Sequence, residues 1–239
     1  MPSWSVLLED GPILAINKPA GLLTQAPPGV PSLEAEVKAW LKERFEKSGN
    51  VYLGIPHRLD RAVSGVIVFT RNSKAAARMA EQFEQRGVRK IYRAIVEGIP
   101  DPSEAELTDW ILKLPEQSRA EIVTPVTPGA RGCRLSYRVL ATHENKSLVE
   151  IEPHTGRMHQ IRVQFASRGW PILGDTQYGS AESPFAQEQR IALHAHSLTF
   201  QHPVRYDPLT ITAPLPNDWP LEVGHSCPTP DGQECPSSN

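Results

Sequence analysis

The sequence contains few cysteines and no long apolar run. Only three of its 239 residues are cysteine (Cys133, Cys227 and Cys235), and no two of them form a Cys-x-x-Cys pair. So few cysteines predict neither a disulfide framework nor a zinc site. No apolar stretch approaches the roughly 20 residues that span a bilayer, and the N-terminus lacks the basic and apolar regions of a signal peptide. These absences predict a soluble cytoplasmic protein with no membrane partner.

The sequence also lacks a net charge of either sign. Its 25 lysines and arginines against 27 acidic residues give a formal net charge of -2, which by itself indicates no nucleic-acid partner. The distribution is uneven, because residues 57–93 hold nine lysines and arginines but only three acidic residues. Such a local excess suits phosphate groups, although a solvated helix face would account for part of it.

The composition that remains is that of an ordinary globular protein. Hydrophobic residues make up 39% and charged residues 22% of the chain, and 239 residues are enough for one large domain or two small ones. The 23 prolines favour loops and edge strands over long helices. After Pro214 the sequence is rich in proline, serine and glycine, which predicts a flexible tail over residues 215–239.

Apolar periodicity and turn residues predict the secondary structure of the first hundred residues. Two short apolar strands flank Asp10-Gly11 and predict a hairpin. A helix is expected over residues 32–47, with Ser32 as its N-cap and Gly49 as its stop, and a second over residues 73–86, capped by Ser73. Residues 89–98 alternate in the manner of a strand.

The second half of the chain is predicted to form mainly strands. Residues 100–132 predict an irregular or hairpin insertion, whose composition does not decide between the two. Antiparallel strands are expected over residues 135–141 and 147–152.

One stretch stands out for its chemistry. Residues 57–61 read His-Arg-Leu-Asp-Arg and are followed by an expected Ser64-Gly65 turn and an apolar run to Thr70. Positive charge on both sides of Asp60 favours its ionised carboxylate, which can act as a nucleophile or base without a metal. For an isolated Arg-x-Asp pattern, a surface ion pair on a loop is the simpler interpretation.

Three further motifs accompany this stretch in a fixed order. Residues 17–21 read Asn-Lys-Pro-Ala-Gly, residues 90–98 follow Lys-x-Tyr-x-Ala-x-Val-x-Gly, and residues 155–162 read Thr-Gly-Arg-Met-His-Gln-Ile-Arg. A Gly-Asp-x-x-Tyr-Gly segment then covers residues 174–179. Together these motifs resemble those of RluA-type RNA pseudouridine synthases, in the form that lacks an N-terminal S4 domain.

This resemblance implies a fold and an activity. The expected fold is α+β, a mixed, largely antiparallel sheet with flanking helices and a central RNA cleft, formed by a catalytic domain over residues 1–214. The expected reaction is isomerisation of uridine in ribosomal or transfer RNA to pseudouridine, by a monomer that uses neither a cofactor nor a metal.

The resemblance also assigns roles to residues. It implies that Asp60 is the catalytic aspartate, that Tyr92 lies against the target base, and that Arg162 forms an ion pair with Asp60. A further set of residues is expected to contact RNA: Arg58, Arg61, Lys90, Arg157 and His159. From the residues alone, Tyr92 fits a half-buried strand equally well, and Lys90 fits an ordinary surface charge.

Some features depart from the family pattern or leave alternatives open. Gln164 stands where many members have histidine, which puts any RNA contact by that position in doubt. His194 and His196 lie on one strand face without a third ligand, so a structural role is favoured over a metal site. A non-catalytic relative that acts in RNA folding or ribosome assembly remains an alternative. A glycosidase would need a second carboxylate near Asp60; Asp175 is the motif-borne candidate, but a Gly-Asp turn explains it more simply.

Overall fold

A computed structural model describes residues 3–181, 185 and 190–219 of the chain. Within them the helices are α1 (Leu33–Arg44), α2 (Ser73–Glu84) and α3 (Gln160–Ala166). The strands are β1 (Ser5–Asp10), β2 (Ile13–Lys18), β3 (Ser64–Thr70), β4 (Arg89–Glu97), β5 (Glu104–Leu114), β6 (Arg119–Val123), β7 (Arg131–His143), β8 (Lys146–Pro153), β9 (Leu193–Gln201) and β10 (Pro208–Thr212). No helix in this part of the chain is long and apolar enough to cross a membrane.

All of these strands belong to one mixed sheet. Its order is β1-β2-β3-β9-β4-β8-β7-β5-β6, and β10 pairs with β9 outside this path. Neighbouring strands run antiparallel except β3 and β9, which are parallel. The predicted α+β fold with a mixed, largely antiparallel sheet is therefore confirmed.

The centre of the sheet is built from strands that are buried on both faces. Every residue of β3 is buried, as its continuous apolar sequence predicts. The prediction of a turn at Ser64-Gly65 is wrong, because these two residues begin strand β3. At Gly65 (φ +116°) a β-carbon would lie 2.2 Å from the carbonyl oxygen of Ala195, so only glycine allows β3 to approach β9 this closely.

The helices start close to their predicted positions and end earlier. Ser32 caps α1 as predicted, its hydroxyl accepting from the Ala35 amide, but the helix ends at Arg44 rather than near Gly49. The cap of α2 is Asn72, whose side chain accepts from the Ala75 amide, so the prediction of Ser73 was wrong by one residue. Asparagine and serine are nearly equal N-caps, so adjacent candidates cannot be separated by sequence alone.

The segment over residues 100–132 is a hairpin that belongs to the main sheet. Its strands β5 and β6 pair with each other, and β5 also pairs along most of its length with β7. A small second core fastens the hairpin to α3 and consists of Ile111, Ala120, Cys133, Val163 and Tyr178. Cys133 is buried and unpaired, whereas Cys227 and Cys235 lie outside the described residues.

The first residues of the predicted tail lie against the domain. Asp218 forms two hydrogen bonds with the Arg190 guanidinium, at 2.8 and 2.7 Å. Trp219 packs edge-on against His194. The rest of the predicted tail, residues 220–239, lies outside the described residues.

Candidate active site

Three separate segments meet at one cleft of about 730 Å³. Asp60 lies on the loop that leads into β3, Tyr92 lies on β4, and Arg162 lies in the first turn of α3. All three line the cleft. The volume is within the range of small-ligand sites, about 300–1,000 Å³, so the cleft can accommodate a group of nucleotide size.

The side chains that face Asp60 come from the start of α3 and not from its own loop. Nη1 of Arg162 lies 3.8 Å from Asp60 Oδ2, and Nε2 of His159 lies 3.6 Å from it. Arg61 turns away, and its Nε donates to the Gly21 carbonyl at 2.9 Å. Arg58 is exposed and forms no ion pair with Asp60. Neither of the arginines beside Asp60 in the sequence forms an ion pair with its carboxylate.

Arg162 is held in place by a second carboxylate, that of Asp175. Nε and Nη2 of Arg162 donate to the two Asp175 oxygens at 2.6 and 2.8 Å, and the two side chains are only 8% and 1% exposed. Burial lowers the pKa of Arg162, but its bonds to Asp175 and the charge of Asp60 outweigh burial and raise it. The two-pronged bond fixes the guanidinium plane, so Nη1 remains directed at Asp60.

Sequence reasoning explained Asp175 as a turn residue and missed this partner. The signal that was available is its position in the Gly-Asp-x-x-Tyr-Gly segment directly after the α3 motif. Asp175 contacts Arg162 rather than Asp60, so it does not supply the second carboxylate that a glycosidase needs.

His159 lies between Asp60 and Tyr178. It precedes α3 with a left-handed backbone (φ 52°), and its Nδ1 is 2.9 Å from the Tyr178 hydroxyl. Burial and the charge of Arg162 lower the pKa of His159, against the opposing charges of Asp60 and Asp175. His159 and Arg162 point at one site as expected, but the expected shared helix face is not the reason, because His159 lies outside α3 with a left-handed backbone.

Tyr92 presents a protonated phenol to the cleft. The residue is half-buried, and burial together with the charge of Asp60 raises the pKa of its hydroxyl well above the ordinary value. Within the described residues this hydroxyl has no hydrogen-bond partner, so it is free to act as a donor toward a bound molecule.

Lys18 and Thr24 form hydrogen bonds with backbone atoms of the Asp60 loop. Lys18 is fully buried, and its Nζ donates to the carbonyls of Val63 at 2.8 Å and Arg61 at 3.4 Å. The Thr24 hydroxyl donates to the Leu59 carbonyl at 2.8 Å and accepts from the Leu59 amide at 3.2 Å. Burial lowers the pKa of Lys18 to about 7, against the opposing effect of Asp60. Sequence reasoning placed Lys18 in a family motif without assigning it a contact, and it missed Thr24.

His57 supports the same loop as a neutral residue. Its Nε2 accepts a hydrogen bond from the Val68 amide at 3.0 Å, and its ring stacks on Phe83 with 4.6 Å between centroids. Burial, assisted by the charge of Lys90, lowers the pKa of His57 to about 3. The residue therefore connects the loop to β3 and α2.

The rim of the cleft carries positive charge without matching carboxylates. Among the described residues, four cations of the lining have no ion-pair partner: Arg58, Arg86, Lys90 and Arg157. Burial and then the charge of Arg86 lower the pKa of Lys90. Arg61, by contrast, does not line the cleft. The structure thus brings together seven of the eight residues assigned from sequence, and Arg61 is the exception.

Gln164 and the two histidines of β9 have structural contacts. Gln164 is fully buried, and its amide donates to Asp109 Oδ2 at 2.7 Å, which joins α3 to β5. His194 Nδ1 lies 2.8 Å from the Ser64 hydroxyl, and His196 Nδ1 lies 3.1 Å from the Ala213 carbonyl oxygen. In the part of the chain that the structure describes, no group of three or more potential ligands is placed to hold a metal ion.

Comparisons with known proteins agree with this geometry. The family model described as RNA pseudouridylate synthase matches residues 12–167, well over half of the chain. A protein of Zymomonas mobilis named as an uncharacterized RNA pseudouridine synthase is 38% identical over 88% of this chain and 93% of its own. The tRNA pseudouridine synthase C of Haemophilus influenzae is 34% identical over 90% of this chain and 94% of its own.

A solved structure shows the same fold. The structure of human RNA pseudouridylate synthase domain containing 4 superposes with a TM-score of 0.76, over 89% of this chain and 88% of that chain. The sequence identity is 24%, so this likeness concerns the fold.

Proposed function

This chain belongs to the RNA pseudouridylate synthase family, and we propose that it converts uridine in transfer RNA to pseudouridine with Asp60 as the catalytic aspartate. The observation that carries the proposal is the meeting of Asp60, Tyr92 and Arg162, from three distant segments, at one basic cleft. Membership of the family makes the protein an isomerase that acts on uridine in RNA; the residues and the substrate are the proposal.

The reaction sets clear demands on the site. The bond between uracil N1 and ribose C1′ breaks, a bond between C5 and C1′ forms, the C5 proton leaves and N1 gains a proton. Atoms and electrons balance without an oxidant or a reductant. Asp60 can attack the sugar, attack the base, or remove a ribose proton to give a glycal; each route requires an ionised carboxylate beside the target nucleotide.

Arg162 meets this demand through its position. Its guanidinium, fixed by Asp175, places a permanent positive charge 3.8 Å from Asp60. An opposite charge at this distance attracts the Asp60 carboxylate and helps to fix where it lies. Nε and Nη2 of Arg162 are bound to Asp175, so Nη1 is the nitrogen that faces Asp60. The Asp60 side chain is still 39% exposed and accessible to substrate.

Tyr92 is suited to the base. A target base must leave the helical stack before its atoms can be reached, and an aromatic ring provides a surface for the extruded base. The phenol of Tyr92 keeps its proton at neutral pH because burial and Asp60 raise its pKa, so it can donate a hydrogen bond to uracil.

The basic rim is suited to the RNA backbone. Arg58, Lys90 and Arg157 line the cleft without ion-pair partners among the described residues, and unpaired cations of this kind bind phosphate groups. Arg58 can alternatively fill the space that the extruded base leaves. His159, which contacts Asp60, is proposed to bind near the target nucleotide, whereas Arg61 is proposed to hold the loop through Gly21.

The choice of transfer RNA rests on the relatives that are named tRNA pseudouridine synthase C. The Haemophilus influenzae protein, 34% identical over nearly its full length, is named a tRNA pseudouridine synthase. Ribosomal RNA is the second candidate substrate. With either RNA the protein is proposed to act as a cytoplasmic monomer.

Pseudouridine mapping of cellular RNA tests this proposal. Transfer and ribosomal RNA would be mapped from cells that lack the gene and from the same cells supplied with wild-type protein, Asp60→Asn or Asp207→Asn. Asp207 is an exposed aspartate near Arg205 and serves as the control. We expect one or more transfer-RNA sites to be lost in the deletion and restored by the wild type and Asp207→Asn only. Sites in ribosomal RNA alone would contradict the substrate, and restoration by Asp60→Asn would contradict the role of Asp60.

A further inference from the structure

Trp110 is an exposed tryptophan on the β5–β6 hairpin. Side chains alternate along β5, so the buried Leu107 and Ile111 face the core while Trp110 faces the open side of the sheet. Its side chain is 39% exposed and packs against neither core cluster of the described residues. Aromatic residues are enriched at binding surfaces relative to the rest of a protein surface.

The surroundings of Trp110 connect it to the cleft. Gly132 lies directly opposite on β7, and a β-carbon there would lie 4.0 Å from the Trp110 ring. The Gly132 carbonyl accepts from Arg157 Nε at 3.1 Å. Arg134 is two residues further along β7, on the same face as Trp110. Arg134 and Arg157 both line the cleft, so the open face around Trp110 continues its rim.

We propose that Trp110, Arg134 and Arg157, with Gly132 between them, form a flanking-nucleotide site that binds the single-stranded RNA next to the target uridine. This inference rests on the proposed function and adds a second contact region to the same cleft. The Trp110 ring stacks on one flanking base, and the two arginines contact the adjacent phosphates.

Three properties of the surface favour RNA over other occupants. Every base has a flat face that stacks on an aromatic ring, so an indole binds flanking nucleotides of any sequence. Arginine bears the charge that phosphate requires, and the one carboxylate near Arg134, that of Glu106, is 3.5 Å away in an exposed, weak pair. The surface also adjoins the cleft proposed to hold the target nucleotide, so one RNA strand can reach both.

Gly132 keeps the stacking surface accessible. It has no side chain, and its backbone does not require glycine, since its φ lies outside the left-handed region. A valine at this position places methyl groups beside the indole. Gly132→Val therefore obstructs the proposed site while Trp110 itself remains.

The test compares the binding of two RNA probes, a uridine trinucleotide and a uridine decanucleotide. Dissociation constants would be measured for wild type, Trp110→Ala, Trp110→Phe, Gly132→Val and Tyr206→Ala. Tyr206 is 61% exposed, lies beside Arg78 and does not line the cleft, so it is a matched control. Thermal unfolding of each variant verifies that it folds.

The decanucleotide is expected to bind Trp110→Ala about ten times more weakly than wild type, the effect of losing one stacked base. Gly132→Val should weaken it in the same direction, Trp110→Phe should retain most of the affinity, and Tyr206→Ala should equal wild type. The trinucleotide should bind all five proteins equally, because it fills the cleft without reaching Trp110.

Two results would overturn the inference. One is wild-type affinity of Trp110→Ala for the decanucleotide. The other is a change in oligomeric state of Trp110→Ala without a change in RNA affinity, which would make this face a contact between protein chains. Because binding needs no turnover, a wild-type protein that makes no pseudouridine contradicts the proposed function alone, and equal affinities in an active enzyme contradict the flanking-nucleotide site alone.

Discussion

At the scale of single residues, the site depends on one arginine shared by two carboxylates. Arg162 uses two nitrogens for the buried Asp175 and directs a third at the more exposed Asp60. Removing one partner of a buried ion pair leaves an uncompensated charge and costs about 3–5 kcal/mol. Asp175 is therefore as necessary to the geometry as Arg162, although it does not touch the proposed substrate.

Arg162→Lys tests whether catalysis needs the two-nitrogen geometry of the Arg162 guanidinium in addition to its positive charge. Lysine keeps the positive charge but cannot bond to Asp175 with two nitrogens and still face Asp60. We expect kcat to fall at least about ten-fold, the effect of about 1.4 kcal/mol in the transition state, with a smaller change in KM. Steady-state pseudouridine formation provides both constants.

The control for this substitution is Arg168→Lys. Arg168 lies two residues after the end of α3. Like Arg162 it pairs with an aspartate, Asp109, at 3.0 Å, but it does not line the cleft. Its variant should keep the wild-type kcat. Equal kcat values for Arg162→Lys and the wild type would contradict the role given to the two-nitrogen geometry.

The lowered pKa of His57 makes the stability of the folded protein depend on pH. Its pKa is about 3 in the folded protein against an ordinary 6.5, so between these values the unfolded chain binds one proton that the folded chain does not. Stability contributed by the neutral ring is complete above pH 6.5 and is lost as the pH falls. The slope for one proton is about 1.4 kcal/mol per pH unit.

His57→Gln should remove this part of the acid sensitivity. The glutamine side-chain oxygen can accept from the Val68 amide without titrating. Urea unfolding at a series of pH values between 4 and 7 would measure the slope for wild type, His57→Gln and His143→Gln, where His143 is an exposed residue at the end of β7. We expect a shallower slope for His57→Gln only; identical slopes for the three proteins would refute this account of His57.

At the scale of elements, the Asp60 loop owes its shape to contacts from the N-terminal hairpin and the segment that follows it. Lys18, the last residue of β2, and Thr24 bind backbone atoms on both sides of Asp60. None of these bonds involves the Asp60 side chain. They convert a loop, which would otherwise be mobile, into a rigid support of the kind that a preorganised site needs.

Thr24→Val isolates the contribution of this support. Valine has the shape of threonine but leaves the buried amide and carbonyl of Leu59 without their partner. Leaving such groups unsatisfied costs about 1–3 kcal/mol, and we expect both a lower unfolding free energy and a lower kcat. Thr210→Val, on the exposed strand β10 where Thr210 pairs with Thr199, should change neither. An unfolding free energy of Thr24→Val equal to or higher than that of wild type would contradict the role given to the Thr24 hydrogen bonds.

The same elements show what sequence could and could not predict. Turn residues and apolar alternation were enough for the first hairpin and for β7 and β8, because those signals are local. Whether Ser64-Gly65 forms a turn or a strand depends on β9, more than 120 residues away, whose Ala195 lies against Gly65. The partnership of Arg162 with Asp175 was likewise hidden, since a Gly-Asp turn has the same sequence whether or not its carboxylate is buried.

At the scale of the whole molecule, a nearly neutral protein lines one cleft with four cations that have no ion-pair partner among the described residues. The net charge of -2 does not reveal this, because most arginines away from the cleft are paired, as Arg205 is with Asp10 and Arg71 with Glu9. Uneven charge along the sequence indicated the region, whereas only the folded structure separates paired from unpaired cations.

Salt dependence of RNA binding tests this distribution. Each phosphate contact adds about 0.7 to the slope of log affinity against log salt for single-stranded RNA. Arg58→Gln should reduce the slope by about that amount, since Arg58 lines the cleft without an ion pair. Arg61→Gln, at a guanidinium turned toward Gly21, should leave the slope unchanged. The reverse pattern would show that RNA lies on the other side of the loop.

The most direct test of the central claim, that Asp60 catalyses the isomerisation, follows the C5 proton. Purified protein would be incubated with transfer RNA that carries tritium at uracil C5, which is released to water only when the C5–C1′ bond forms. Wild type and Asp207→Asn should release tritium in step with pseudouridine formed. Asp60→Asn should bind the same RNA with similar affinity and release none; tritium release by Asp60→Asn at the wild-type rate would contradict the account.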